Sequence, residues 1–320
     1  MASVLRRFPR IALGRFPSPV RCAQLATGGR FWIKDDGGCS QVYGGNKLRK
    51  LEYLLARALR LGKRVLVVHG DVESHTVRAS CLLGLQAGLA VHAVVFPHRG
   101  QAMDAADLAG LWRSGVRIHR RTSMIGAICH AHWLGWRLGA VVVPLGASTP
   151  DATLGYVGAA FELLEQVRQG LLPEPRRIYI PFATGGSVAG LMIGLALAGG
   201  QTRVVAVQAV DNVIANSGRL KRLVKQTLTL PGFDRRMFGC CMRRLELIDR
   251  RYLGRGYRDI PPATQAAVKL AAHHGLALEP AFSGKAFAAM LDALPEFPHG
   301  ELLYWNTHHQ SDGPTPSGTA

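Results

Sequence analysis

The 320-residue chain reads as an α/β fold built on parallel sheet, and three observations carry that reading. Short β-branched runs alternate with helix-like stretches from Val65 to Trp305. The helix-like stretches open after proline or close on glycine. A glycine-rich segment, Ala183-Thr184-Gly185-Gly186-Ser187, joins one β-branched run directly to a helical one.

Taken in order, the strand candidates are Val65–His69, Val91–Phe96, Val141–Leu145, Arg177–Phe182, Val204–Val210 and Leu302–Trp305. Each is a short, mostly apolar run of the kind buried on both faces of a parallel sheet. Leu51–Leu61 predicts a helix closed by Gly62, Asp151–Arg168 one that follows Thr149-Pro150, Val188–Ala198 one ending at Gly199-Gly200, and Pro262–His274 one stopped by Gly275. There is no internal repeat and no long linker. The last ten residues, Ser311–Ala320, are rich in Ser, Gly, Pro and Thr and read as a disordered tail.

Composition narrows the class. Hydrophobic residues make up 48% and charged residues 19% of the chain, ordinary values for a folded globular protein. No apolar run reaches the roughly 20 residues that a membrane-spanning helix needs. The six cysteines show no Cys-x-x-Cys spacing and follow no secretory segment, so a cytoplasmic location is expected. The formal charge of +18, from 39 Lys and Arg against 21 Asp and Glu, steers anionic partners toward the surface. It comes without any nucleic-acid-binding pattern, so no specific nucleic-acid partner is expected. Arg6, Arg7, Arg10 and Arg15 precede the first acidic residue, as in a transit peptide, but Pro9, Pro17 and Pro19 interrupt any amphipathic helix; the segment reads as a structural arm.

Two constellations carry chemistry. Gly44-Gly45-Asn46-Lys47-Leu48-Arg49-Lys50 stands directly ahead of the first predicted helix. A lysine buried beside other cations loses basicity, and its free amine can form a Schiff base, so Lys47 is a candidate cofactor anchor. The second is Thr184-Gly185-Gly186-Ser187, where adjacent glycines, a helix start and two hydroxyls suit a phosphate. It is neither a Walker-type loop nor a dinucleotide fingerprint. An amine anchor, a phosphate cup and an α/β sheet are together the parts of a pyridoxal 5'-phosphate site. The histidine pairs His273-His274 and His308-His309, and His130 with His132, form no known metal-ligand set; none is expected to bind metal, and His130 and His132 read as one helix face beside Trp133.

With these residues in view, the chain resembles the fold-type II pyridoxal-phosphate enzymes of the 1-aminocyclopropane-1-carboxylate deaminase and D-cysteine desulfhydrase family. The resemblance runs from Arg7-Phe8-Pro9-Arg10 through Pro17-Ser18-Pro19, Ile33-Lys34-Asp35-Asp36, Gly44–Leu55, Gly155-Tyr156, Ala183–Leu191 and Tyr252–Tyr257 to Glu279–Ala286. The block Gly-Gly-Asn-Lys-x-Arg-Lys-Leu-Glu is its most specific part. The resemblance implies a two-domain, tryptophan synthase β-like fold. A small domain at residues 50–150 would interrupt a large, discontinuous cofactor-binding domain made of residues 1–49 and 151–320. A homodimer is the expected assembly.

It also implies roles residue by residue. Lys47 would carry the cofactor and serve as general base, Ser74 would assist proton transfer, and Tyr252 would reach the substrate. Asn46, His75, Thr184, Gly185, Gly186, Ser187, Ser283 and Thr307 would contact the cofactor. This chain departs from the family pattern at three places. His75 replaces an Asn that usually bonds the cofactor's phenolic oxygen, and Phe282-Ser283 replaces a Tyr-Glu or Tyr-Thr pair. Asn306-Thr307-His308-His309 replaces His-Thr-Gly-Gly. A hydroxyl at position 283 makes a weaker electron sink than a carboxylate, which argues against opening a cyclopropane and for loss of a β-substituent. The expected activity is therefore a D-cysteine desulfhydrase-like elimination from a small amino acid, releasing pyruvate and ammonia. Cyclopropane deamination, racemisation, and a catalytically degenerate cofactor-binding protein are the alternatives.

Overall fold

The computed structural model describes residues 4–26, 28–97 and 114–309; the expected tail at Ser311–Ala320 lies outside them. In chain order the elements are β1 (Val20–Gln24), β2 (Arg30–Asp35), α1 (Asn46–Arg60), β3 (Val65–Asp71), α2 (His75–Gln86), β4 (Ala90–Phe96) and β5 (Arg117–Arg120). These are followed by α3 (Met124–Arg137), β6 (Val141–Val143), α4 (Pro150–Arg168), β7 (Arg177–Phe182), α5 (Gly186–Ala198), β8 (Arg203–Gln208) and α6 (Ser217–Thr227). The short α7 (Phe238–Met242), β9 (Leu245–Asp249), α8 (Pro262–His273), α9 (Lys285–Ala293) and β10 (His299–Asn306) complete the order.

The strands form two sheets. A four-stranded sheet in the order β5-β4-β3-β6 is parallel throughout. A six-stranded sheet runs β1-β2-β10-β7-β8-β9 and is parallel except for the edge strand β1, which pairs antiparallel to β2. The α/β class with parallel sheets holds, and all six expected strands form. β1, β5 and β9 escape a reading by apolar runs because they are edge strands carrying polar residues, as in Arg117-Ile118-His119-Arg120. β2 escapes it because Lys34 and Asp35 interrupt its apolar run.

Layers of helix cover both faces of the large sheet. Leu154, Tyr156 and Leu163 of α4 and Val188, Leu191 and Met192 of α5 pack on one face. Ala267 of α8 and Phe287 and Met290 of α9 pack on the other. The core around the small sheet joins Leu66, Val68, Ala93 and Val143 to Leu48 and Leu51 of α1, and reaches back to Leu13 and Tyr43. The N-terminal arm is tied down by backbone donors. Ile11 N bonds the Glu52 carbonyl, Leu13 N the Glu52 carboxylate, and Ser18 N the Glu162 carboxylate.

α1 begins at Asn46, five residues before the expected Leu51, so Lys47 lies in its first turn. The early start has a physical reason. A block as basic as Lys47-Leu48-Arg49-Lys50 reads as a solvated helix approach, yet here Arg49 is taken up by two carboxylates, the buried Asp36 and the half-buried Glu162. Likewise α5 starts at Gly186, two residues early, which brings Gly186 and Ser187 into its first turn.

Candidate active site

Loops at the carboxyl ends of β3, β4, β6, β7, β8 and β10 meet around a cavity of about 550 Å³. In a parallel α/β sheet that is the side on which ligands bind. Asn46, Lys47, Ser74, His75, Thr184, Gly185, Gly186, Ser187, Ser283 and Thr307 all line it.

Lys47 points its amine into this cavity and donates to Asn46 Oδ1 at 3.0 Å. Burial pushes the Lys47 amine down to about 8, which leaves an appreciable free-base fraction at neutral pH. The turn that places it is fastened to the end of β10. Asn46 N donates to the Thr307 carbonyl at 3.1 Å, and Gly45 N to the Asp36 carbonyl at 2.7 Å. Gly45 has φ of 77°, and a Cβ there would stand 2.5 Å from the Thr307 carbonyl oxygen, so no larger residue allows this closure.

The cup opposite Lys47 forms where β7 turns into α5. Gly186 N donates to Ser148 Oγ at 3.2 Å, and Ser148 Oγ lies 2.7 Å from Thr184 Oγ1. Asn46 Nδ2 reaches across to Ser187 Oγ at 3.3 Å. Lys50, one turn along α1 from Lys47, brings its amine to the same place and bonds the Gly146 carbonyl at 3.2 Å. A Cβ on Gly186 would sit 3.0 Å from that amine. Burial, with the neighbouring Lys47, drives the Lys50 amine well below its ordinary value, and no carboxylate pairs with it among the described residues. A buried amine that lacks a carboxylate partner and faces helix-start N–H groups fits an anion such as a cofactor phosphate, whose charge would favour its protonated form. Sequence reasoning passed over Lys50, although its i+3 spacing from Lys47 was the available signal.

Ser74 and His75 sit where β3 gives way to α2. Ser74 is the N-cap, its Oγ accepting from Thr76 N at 3.2 Å, and still faces the cavity. His75 Nδ1 lies 2.6 Å from Tyr43 Oη. His308 and His309, at the end of β10, complete this wall. The His308 ring meets His75 edge-on at 5.1 Å, and the His309 ring stacks on Tyr43 at 4.2 Å. Burial, with the neighbouring His308, Lys47, Arg78 and His309, lowers His75 to about 3; burial and His309 lower His308 to about 4. Both rings are neutral at neutral pH.

The opposite wall carries the segment Pro280–Gly284. Ser283 Oγ donates to the Glu279 carbonyl at 2.8 Å and accepts from Glu279 N at the same distance. What it can offer the cavity is a lone pair, without charge. The Glu279 carboxylate caps the backbone N–H groups of Ala281 and Phe282, and burial raises its pKa. Phe282 packs on Tyr257 at 5.1 Å between ring centres, and both line the cavity.

One expectation needs correction. Tyr252 is not among the cavity residues; its hydroxyl donates to Asp292, and its ring belongs to the core shared with Ala267 and Phe287. Tyr257, five residues on in the same segment, is the tyrosine that reaches the cavity. Two tyrosines flank Leu253-Gly254-Arg255-Gly256, and spacing alone does not say which turns inward. The other histidines singled out lie elsewhere: His130 stacks on Trp133 at 5.3 Å on α3, and His132 faces His69 at 6.4 Å. Among the described residues no three His, Cys, Asp or Glu side chains group as a metal would require. All six cysteines are free, and no helix among the described residues is long and apolar enough to cross a membrane.

Comparison with known proteins identifies the family. The family model "Pyridoxal-phosphate dependent enzyme" matches residues 11–307. A D-cysteine desulfhydrase of Klebsiella pneumoniae is 28% identical over 313 residues, spanning 91% of this chain and 90% of that protein. A 1-aminocyclopropane-1-carboxylate deaminase of Burkholderia cenocepacia is 29% identical over 325 residues, spanning 94% of each. Among solved structures, an ACC deaminase homologue superposes with a TM-score of 0.79 at 25% identity, covering 96% of this chain and 94% of that one.

Proposed function

The chain belongs to the pyridoxal-phosphate dependent enzymes, and from that premise we propose that it is a D-cysteine desulfhydrase-like lyase. In the proposed reaction a small amino acid loses its α-proton and its β-substituent; with D-cysteine and water the products are hydrogen sulfide, pyruvate and ammonia.

Pyridoxal phosphate, when bound, supplies the carbonyl that takes the amino group and the electron sink for the α-carbon. The chain supplies the rest. Lys50 and the first turn of α5 hold the phosphate, and Asn46 keeps the Lys47 amine in place. Lys47, its basicity reduced by burial, is the general base at the α-carbon, with the Ser74 hydroxyl as the near proton carrier. Tyr257 takes the substrate-facing role once expected of Tyr252.

The observation that carries elimination over ring opening is the wall at Phe282-Ser283. Phe282 and Ser283 themselves bring neither a tyrosine hydroxyl nor a carboxylate to the cavity; Glu279 lines it too, but its carboxylate is bonded to the N–H groups of Ala281 and Phe282, and the Tyr257 hydroxyl comes from a different segment. A β-leaving group carries its electron pair away and places less demand on the sink than a cyclopropane does. Supply of D-cysteine to the cofactor-loaded protein tests this. Equal yields of sulfide and pyruvate are expected, with no 2-oxobutanoate from 1-aminocyclopropane-1-carboxylate; the reverse substrate preference overturns the reading. The three cavity histidines, standing where the resemblance has Asn, Gly and Gly, favour a second reading in which the cofactor is retained and no amino acid is turned over.

A further inference from the structure

The wall formed by Tyr43, His75, His308 and His309 is not explained by the reaction proposed above. Tyr43 is buried and packs with the core of the small sheet, yet its hydroxyl finds one partner among the described residues, the Nδ1 of His75 at 2.6 Å. A buried phenol gives its proton to an acceptor where one is in reach, so Nδ1 is the accepting nitrogen and the ring proton lies on Nε2. The Tyr43 ring is itself held. His309 stacks on it at 4.2 Å and 24°, and His309 Nδ1 accepts from Gly44 N at 2.9 Å, which ties the stack to the turn ahead of Lys47.

We propose that Tyr43 is a positioning residue that fixes His75 as an Nε2–H donor to the cavity, for an anionic oxygen of the cofactor or of the amino-acid substrate. This rests on the cofactor site described above and adds to it the residue that sets the histidine's proton. His75 is faced by Tyr43 from the loop before α1, Lys47 from α1, Arg78 from its own helix, and His308 and His309 from the end of β10. Apart from the Tyr43 phenol, which burial keeps protonated, the chargeable groups in that ring of neighbours are bases, so a positive charge on His75 is disfavoured. The result is one directional donor without charge, beside a lysine that has to give up its own proton. An asparagine at position 75 would offer the donor without any need for Tyr43; a histidine needs the tyrosine to choose its tautomer.

The test is nitrogen-15 NMR of the full-length protein labelled at histidine, with the cofactor removed, in wild type, Tyr43→Phe and His75→Asn. The His75→Asn variant assigns the His75 resonances, and Tyr43→Phe keeps the ring that stacks on His309. Wild type is expected to show His75 neutral, protonated on Nε2, from pH 8 to pH 5. Tyr43→Phe is expected to lose that single tautomer. Addition of pyridoxal phosphate that moves the His75 Nε2–H resonance places the recipient oxygen on the cofactor; movement only when the amino acid follows places it on the substrate. A protonated His75 at neutral pH, an Nδ1–H tautomer, an unchanged tautomer in Tyr43→Phe, or no movement with either ligand overturns the proposal. None of these readouts depends on turnover, so a failed elimination assay leaves them intact.

Discussion

Arg49 grips the carboxylate of Asp36 with two donors, Nε at 3.0 Å and Nη2 at 2.8 Å, and both side chains are buried. The same guanidinium reaches Glu162 of α4 through Nη1 at 2.9 Å, while Tyr156 and Trp305 donate to Asp36. Arg49 lies two residues after Lys47, so this pair sets the axis of α1 and thereby the place of the amine. Burial pushes the Asp36 carboxyl up, but Arg49, Lys34 and the Trp305 hydrogen bond bring it below its ordinary value. Arg49→Met is expected to destabilise the fold by roughly 3–5 kcal/mol, because it leaves a buried charge unpaired. Urea unfolding measures this, and a loss under about 1 kcal/mol contradicts it.

Lys50→Gln removes the amine that stands against Gly186 of the glycine cup while keeping most of its volume. Cofactor affinity is expected to fall on the order of 10- to 100-fold, a loss of about 1.4–2.8 kcal/mol, with the visible band regained at high cofactor concentration. Equilibrium dialysis against pyridoxal phosphate reads the change. Unaltered affinity would move the phosphate site away from Gly185-Gly186.

Tyr257→Phe and Tyr252→Phe separate the two tyrosines of one segment. The first is expected to lower kcat/KM by about 10- to 100-fold with the melting temperature almost unchanged. The second loses a hydrogen bond to Asp292 and is expected to cost about 1 kcal/mol of stability with little effect on turnover. The opposite pattern would restore Tyr252 to the site.

Acidification should weaken the fold through the cavity histidines. Buried neutral in the folded state, His75 and His308 titrate at about 3 and about 4, against an ordinary value of 6.5. Their contribution is complete above 6.5 and is lost as pH falls toward those folded values, since between them the unfolded chain binds more protons. The slope is about 1.4 kcal/mol per pH unit for each ring. Between pH 6.5 and 4 the paired change His75→Asn with His308→Gly should flatten the fall measured by denaturant unfolding; an unaltered slope would mean that neither ring is held neutral.

Much of this was legible in the chain itself. The six expected strands announced themselves because parallel strands are mostly apolar, whereas the two adjacent glycines between strand and helix, which alone suit a tight turn equally well, pointed to a phosphate only when set beside Lys47. What stayed hidden were features that depend on partners distant in sequence. The basic run after Lys47 looks solvated until Asp36 and Glu162 are seen to meet Arg49. Lys50 looks like more of the same until Gly186 arrives from 136 residues away. The inward turn of Tyr257 in place of Tyr252 is decided by packing against Phe282 and Asp292, which no periodicity encodes.

The most direct test is the near-visible absorption spectrum of the protein, as wild type and as Lys47→Ala, before and after D-cysteine, with sulfide and pyruvate assayed in the same cuvette. Wild type is expected to show the band of a lysine-bound cofactor, to lose it transiently on adding D-cysteine, and to release the two products in equal amounts; Lys47→Ala should show neither band nor products. A band that survives Lys47→Ala, or a wild-type protein that takes up no cofactor, would contradict the account at its centre.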